Sequence, residues 1–435
     1  MSKIKEYFLN NFVIKNDKLG TILLDLSYFL LVVTLVTLPL FTTRSGFTTI
    51  TLVLSLATGL SIFAYIFFRG KLFFNYFVVL FAVFVIYAAI VTLIGSKSFS
   101  TLKSIITLYA LGIAIFQLCA NTKNVHIIGI ALLTGLLLFT GVFLVKFLPI
   151  AIKSLKSKEQ LARLGEEFGN LNYVGRNFAL GSILCTCIAC YKKKYYLFFL
   201  AGSLLCGVCT ILTGSRGAYL MLGVGTLVPF FFIFPKKFRW IYLVAIVATV
   251  LVFIGVLQLP ALKSLKDAME RAFNTITNTG RGETSTARRI QMFQDALYLW
   301  SKKAIFGYGA YGFASASSFG TYSHNSITEM LCDFGVVGFA IFYTPIVLLL
   351  ANLDKTRSKD NLYYISVTIS IIVAFLLAGS FFFVLYQDKI LIITLSVLFA
   401  YDFKLNSEEE RWLSFSFLEK GVQKRVELNR IVASK

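Results

Sequence analysis

Charge is scarce in this chain. Asp, Glu, Lys and Arg make up 14% of its 435 residues, against roughly a quarter in soluble domains, so a water-facing globule cannot be covered from this alphabet. Acid is scarcer still: 21 Asp and Glu stand against 42 Lys and Arg, a formal net charge of +21. Only two His are present. Disorder is excluded as well, because disordered chains are poor in aromatics and rich in charge, whereas 16% of this chain is aromatic, with 44 Phe. What is abundant is apolar: 57% hydrophobic residues and a mean hydropathy of +0.78. The class that remains is a polytopic membrane protein.

A helix needs about 20 apolar residues to cross a hydrocarbon core. That length predicts an all-α protein of about 12 spans, near 21–40, 47–68, 72–94, 104–120, 126–148, 174–190, 196–212, 217–234, 239–259, 325–350, 362–384 and 389–403. The first run is too long, and lacks a small-residue cleavage site, for a cleaved signal peptide. Short loops holding Arg69, Lys71, Lys123, Lys192–Lys194, Lys236, Lys237, Arg239, Lys355, Arg357 and Lys359 alternate with loops holding only Arg44, Lys97, Lys103, Arg216 and Lys389. The positive-inside rule makes the first set cytoplasmic, and both termini with it.

The expected organisation is then a cytoplasmic N-terminus over 1–20 and nine spans over 21–259, interrupted by an outer loop at about 150–173. A large outer loop over 260–324 lies between spans 9 and 10, three spans follow over 325–403, and a cytoplasmic C-terminal helix covers 404–435. That last helix rests on Ser407 with Glu410, a capping-box spacing, followed by Trp412, Leu413, Phe415 and Leu418. The two outer loops are rich in Lys and Arg, among them Lys153, Lys156, Lys158, Arg163, Arg281, Arg288 and Arg289. Long loops escape the positive-inside rule, so this excess points either to an anionic ligand or to headgroup contact and solvation. Nothing resembles a nucleic-acid module, so none is expected as a partner.

Two motifs mislead. Cys187-x-x-Cys190 and Cys206-x-x-Cys209 have a zinc spacing. They lie in consecutive antiparallel spans, and Cys209 stands roughly 20 Å along its helix from the turn that Cys190 adjoins. Four sulfurs so placed cannot converge on one tetrahedral ion. Gly307-Tyr-Gly309-Ala-Tyr-Gly312 spells GxGxxG but lies in an outer loop before a span, not between strand and helix. It reads as a tight glycine turn. His126 begins a span and reads as structural, and Asp25 takes no role.

Three features converge on the outer face. Thr213-Gly-Ser-Arg-Gly-Ala218 is a short outer turn that holds Arg216 at the membrane boundary. Arg289-Ile-Gln-Met-Phe293, after Arg288, lies on an amphipathic helix ending near Trp300. His324-Asn-Ser-Ile-Thr-Glu329 enters the next span, ahead of Phe334-Gly-Val-Val-Gly338. Each alone reads as an interfacial Arg, a solvated face or a helix cap. Together they supply a base that can take a hydroxyl proton and guanidinium forks for phosphate oxygens. No Asp-x-Asp-like acid pair stands in the outer loops to hold a metal, and no cofactor is expected.

The stretch from Thr213 to about Leu350 resembles the O-antigen ligase/polymerase family of bacterial envelope glycan enzymes. The resemblance rests on Ser215-Arg216-Gly217-Ala218, Arg289-Ile-Gln-Met-Phe293, Phe306-Gly-Tyr-Gly309, His324-Asn-Ser-Ile-Thr-Glu329 and Phe334-Gly-Val-Val-Gly338. The family usually has Trp where Phe293 stands and an aliphatic residue where Thr328 stands. The resemblance implies a GT-C-like inverting glycosyltransferase of the cytoplasmic (inner) membrane, with its active site on the outer face. It would move a glycan from an undecaprenyl-pyrophosphate-linked donor to a hydroxyl on a glycan or lipid-glycan acceptor, without nucleotide sugar or metal. It implies that Arg216 and Arg289 bind pyrophosphate, each such donor contributing about 3–4 kcal/mol at a preorganised site. His324 would orient or deprotonate the acceptor, Glu329 would set the His or bind sugar, and Arg288, Asn325 and Arg281 would contact substrate.

Polymerase and ligase stay open, with polymerase preferred on the His-Asn-Ser-x-x-Glu form. A transporter of lipid-linked glycans is the alternative from another class. It calls for repeated halves and mid-membrane charges. No such repeat is visible, and the candidate charges gather at the outer boundary. A scaffold without catalysis predicts that His324 is dispensable.

Overall fold

The computed structural model describes residues 2–41, 48–68, 71–122, 125–157, 168, 170–191, 195–233, 285–355, 362–382, 384–406 and 414–416. Among these the chain is nearly all helical: α1 (Ser2–Phe41), α2 (Thr48–Phe68), α3 (Tyr76–Ile94), α4 (Phe99–Asn121), α5 (Val125–Ser157), α6 (Leu171–Tyr191), α7 (Tyr196–Leu212), α8 (Arg216–Ile233), α9 (Ser285–Lys302), α10 (Gly312–Ala316), α11 (Ser326–Lys355), α12 (Leu362–Phe382) and α13 (Lys389–Asn406). Seven of them are long and apolar enough to cross a membrane, and three shorter apolar stretches lie in α7, α8 and α12. Helices stand at every expected span except 239–259, which lies outside the described residues.

The surface bears the membrane reading out. Phe29, Leu60, Phe63, Ile86 and Val145 are all more than 60% exposed on helix faces, a display that a monomer in water does not sustain. Between helices, association in lipid relies on close packing and hydrogen bonds rather than on water exclusion. α6 packs on α7, α8 and α12, α13 on α4, and α11 on α3. A cluster of aromatic rings fills the junction of α3, α4, α11 and α13, with Phe77 stacked on Phe399 at 4.2 Å and Phe84 edge-on to Phe334 at 5.4 Å. Hydroxyls tie neighbouring helices: Thr34 to Thr58 at 2.8 Å, Ser182 to Ser203 at 2.9 Å, and Tyr191 to Ser366 at 2.7 Å.

Some expected boundaries move. α5 continues through Ser157, so the first residues of the loop expected at 150–173 are helical. Of the C-terminal helix expected over 404–435, residues 404–406 are the end of α13 and Ser414–Ser416 is a strand, the rest lying outside the described residues. This strand, β2, pairs antiparallel with β1 (Lys71–Phe73), Leu72 opposite Phe415. The cause is a prepared edge. Asn121 and Gln117, one turn apart on α4, bond the backbone N–H and C=O of Lys71 and Phe73 at 2.7–2.9 Å, as a neighbouring strand would. The remaining edge of β1 faces the tail, and Ser-Phe-Ser has the alternation a strand needs.

The sulfurs of the apparent zinc motif face different helices. Cys187 Sγ lies 3.9 Å from Ser370 on α12, and Cys206 Sγ lies 3.3 Å from Thr140 on α5.

Candidate functional site

α11 is broken at Gly335, whose φ of 62° and ψ of −170° are not helical. A break leaves backbone groups without intrahelical partners, and the loop after α9 supplies them. Tyr308 N–H donates to Cys332 O at 3.0 Å, Gly309 N–H to Asp333 O at 2.7 Å, and Val336 N–H to Ala304 O at 2.9 Å. Tyr87 on α3 closes the join, its hydroxyl 2.7 Å from Phe334 O and 3.1 Å from Phe306 O. Approach this close needs glycine. A Cβ at Gly335 would sit 2.2 Å from Ile305 O, and one at Gly307 (φ 76°) would sit 2.4 Å from Asp333 O. Phe306-Gly-Tyr-Gly309 and Phe334-Gly-Val-Val-Gly338 are therefore two halves of one main-chain lock, which accounts for the glycine turn read from sequence. Asp333 seals it from inside: its carboxylate accepts from Phe313 N–H at 2.9 Å and from the Tyr386 hydroxyl at 2.5 Å.

The lock closes an excursion that carries His324. Asn325 caps α11, its Oδ1 accepting from Ile327 N–H at 3.0 Å and Thr328 N–H at 3.1 Å. Buried Glu329 accepts from Ser323 N–H at 2.5 Å, as in a capping box but from one residue further into the helix and to a residue two before the cap. Between these two anchors His324 is held at φ 57°, a left-handed conformation that costs a Cβ-bearing residue roughly 1–2 kcal/mol. Its ring centroid lies 4.1 Å from that of Tyr322. Nδ1 is buried and has no hydrogen-bond partner among the described residues. Burial, with the Arg289 and Arg288 guanidinium groups beside it, pushes the imidazole down to about 4. At neutral pH it is uncharged.

α9 confirms the amphipathic helix expected through Arg288 to Trp300. Met292 and Ala296 are buried against Phe313 and Cys332, with Leu299 beside them. Arg289 precedes Met292 by three residues and so shares this inward stripe; it is half-buried, whereas Arg288 is exposed and lies over the Phe319 ring at 5.8 Å. The Arg289 charge also acts on the Tyr322 phenol, which burial raises and Arg289 opposes. Phe293, at the position where the family usually has Trp, is partly exposed.

The Thr213–Ala218 turn arrives through α6. Gly214, at φ 64°, turns the chain, and Ser215 Oγ donates to Asn172 Oδ1 at 2.9 Å. Gly175 permits this contact, since a Cβ there would stand 2.7 Å from Thr213 Oγ1 and 2.8 Å from Ala218 Cβ. Arg216 is the first residue of α8. On α6, next to Asn172, Tyr173 neighbours Tyr322 and Glu329. The first turn of α6 thus joins the Arg216 turn to the His324 loop. Of the expected residues, the structure gathers His324, Asn325, Glu329, Arg288 and Arg289, and sets the Arg216 backbone beside them. Arg281 lies outside the described residues.

Other residues of this end were not in the expected set: Tyr173, Tyr322, Asp333, and the buried ion pair of Arg176 with Asp388. For Arg176 a signal exists, because an ionisable residue inside an apolar run is costly and marks a site by default. Tyr322 and Tyr173 carry none. Among the described residues no group of His, Cys, Asp and Glu could hold a metal.

No curated protein matches the chain. Residues 201–343 match the family model described as O-antigen ligase, a stretch holding the Arg216 turn, the inward stripe of α9, both halves of the lock and the His324 loop. The matched stretch is about a third of the chain, and over it this protein of many apolar helices is similar to the O-antigen ligase family.

Proposed function

We propose that this protein transfers glycan from undecaprenyl pyrophosphate to a hydroxyl acceptor at the outer face of the cytoplasmic membrane, with inversion, as a surface-polysaccharide polymerase. The observation that carries the reading is His324: a neutral imidazole whose buried Nδ1 has no hydrogen-bond partner among the described residues, near enough to Arg289 to feel its charge. The acceptor hydroxyl gives its proton to Nδ1 as its oxygen forms the new bond at the anomeric carbon. The bond from that carbon to the carrier breaks, and its electron pair stays on the pyrophosphate oxygen. Arg289, with Arg216 and Arg288, holds the charge that develops there.

The low proton affinity of His324 suits this assignment. With no substrate bound, burial first and then the two guanidinium groups suppress protonation. A pyrophosphate between them would offset that positive field and raise the affinity of the imidazole for a proton when the acceptor is ready to lose one. Glu329 acts on Ser323 N–H and thereby sets the backbone of His324.

The test is the size profile of lipid-linked and surface glycan in cells lacking the gene, complemented with the wild type or with His324→Ala. Single repeat units left on the carrier, lengthened by the wild type but not by His324→Ala, are the expected result. Long chains stranded on the carrier would make the enzyme a ligase acting on lipid A–core. Normal profiles with His324→Ala at equal expression would remove the catalytic assignment and return the transporter and scaffold readings.

A further inference from the structure

The end of the bundle that carries His324 also holds an ion pair that no motif includes. Arg176 lies five residues into α6, 3% exposed, and pairs with the fully buried Asp388 in the connection between α12 and α13. The guanidinium also donates to Asn177 Oδ1, from Nε at 3.3 Å and from Nη2 at 2.9 Å, and lies 4.8 Å from the centre of the Tyr173 ring. Asp388 uses its second oxygen to cap α13, accepting from Leu391 N–H at 2.9 Å. A pair so thoroughly removed from water is poor evidence of stabilisation, because desolvation offsets its attraction and an apolar pair of equal volume does as well. Orientation is what the planar guanidinium supplies and an apolar pair does not, one nitrogen bonding Asp388 and two bonding Asn177.

The connection is fastened at two further points. Leu385 N–H donates to Ser326 Oγ at 3.1 Å, and the Tyr386 hydroxyl donates to Asp333. Ser326 is two residues from His324. On the other side, Tyr173 lies against the Arg176 guanidinium and neighbours Tyr322, whose ring meets His324. Asp388 therefore reaches the His324 loop by two routes, one through the start of α11 and one through α6. The same α6 turn carries Asn172, which holds the Arg216 turn.

We propose that Arg176 and Asp388 are positioning residues for glycosyl transfer: their pairing clasps the 384–388 connection to α6 and so fixes His324 relative to the Arg216 turn and Arg289. This rests on the function proposed above. Neither residue touches the reacting atoms in this role. Small displacements suffice to matter, since a misplacement of about 1 Å can cost on the order of a hundredfold in rate.

The experiment uses the full chain in nanodiscs, with lipid-linked glycan extracted from cells lacking the gene as donor and acceptor, and rates measured against its concentration. Asp388→Asn is expected to lower kcat by about tenfold to a hundredfold while KM stays within about threefold, the signature of lost transition-state geometry rather than lost binding. Arg176→Lys, which keeps the charge and loses the planar guanidinium that joins Asp388 to Asn177, should behave likewise. The double exchange Arg176→Asp with Asp388→Arg should recover at least about tenfold in kcat over either single exchange. Tyr173→Leu, which leaves the ion pair intact, should lower kcat without raising KM. An Asp388→Asn rate within about twofold of wild type, or a loss wholly in KM, overturns the proposal. If the charge variants do not fold, Tyr173→Leu decides, and a normal kcat there overturns it. A wild-type protein with no transfer activity, or an undiminished His324→Ala, overturns the underlying function instead.

Discussion

The two ends of the helical bundle are built by different means. At the His324 end the lock bonds the chain to itself through its main chain: Tyr308, Gly309 and Val336 donate across to 332, 333 and 304, and the lock's Gly307, Gly309 and Gly335 sit at positive φ. At the opposite end, side chains do the joining. Gln117 and Asn121 imitate a strand for β1, Tyr76 and Asn352 converge on Asp402 at 3.2 and 3.4 Å, and Lys404 donates to the Thr122 carbonyl. A main-chain lock admits few substitutions but holds geometry closely, as a reaction needs. A side-chain join gives up one bond at a time.

That contrast can be broken. Gly335→Ala carries the largest expected effect: left-handed strain and a backbone clash at 2.2 Å should together destabilise by more than about 3 kcal/mol, seen as loss of folded, monodisperse protein in thermal unfolding. A normally stable Gly335→Ala would show that the lock yields. Next comes Arg289→Gln, which should sharpen the electrostatic side of the comparison. The His324 pKa is depressed to about 4, so the neutral base is present above that pH and is lost as pH falls through it. Removing one guanidinium should move the acid limb of kcat/KM upward, towards the ordinary His value of about 6.5. A limb that stays put would detach Arg289 from His324. The smallest effect belongs to the opposite end: Gln117→Ala should cost about 1 kcal/mol in unfolding and leave transfer unchanged. A loss of transfer there would couple the two ends.

The same contrast decides what the sequence discloses. The glycine turn at 307–312 is legible because its requirement is local, whereas its bonding to the break at Gly335 is not. α9 is legible through its periodicity, and the His324 loop only through its resemblance to the family motif, not through the Asn325 cap and the Glu329 bond that shape it. The joins between distant side chains are not legible. Asp388 lies 212 residues from Arg176, and Asp402 lies 326 from Tyr76, so neither partner carries a mark of the other. At the tail, Ser407 and Glu410 have the spacing of a helix start, yet Ser414–Ser416 is a strand because β1 offers an edge that only the tertiary structure prepares. Nor does any spacing rule place α6 between the Arg216 turn and the His324 loop.

The lock has a consequence for which of its neighbours the chain can exchange. Its bonds run between 304–309 and 332–337 and use main-chain atoms, so the excursion between them is closed off whatever side chains it bears. Tyr311, Ser315, Ala316, Ser318 and Gly320 on that excursion are exposed. Side chains at these exposed positions can be exchanged without touching the main-chain bonds of the lock, so the frame that presents His324 does not depend on what the excursion displays.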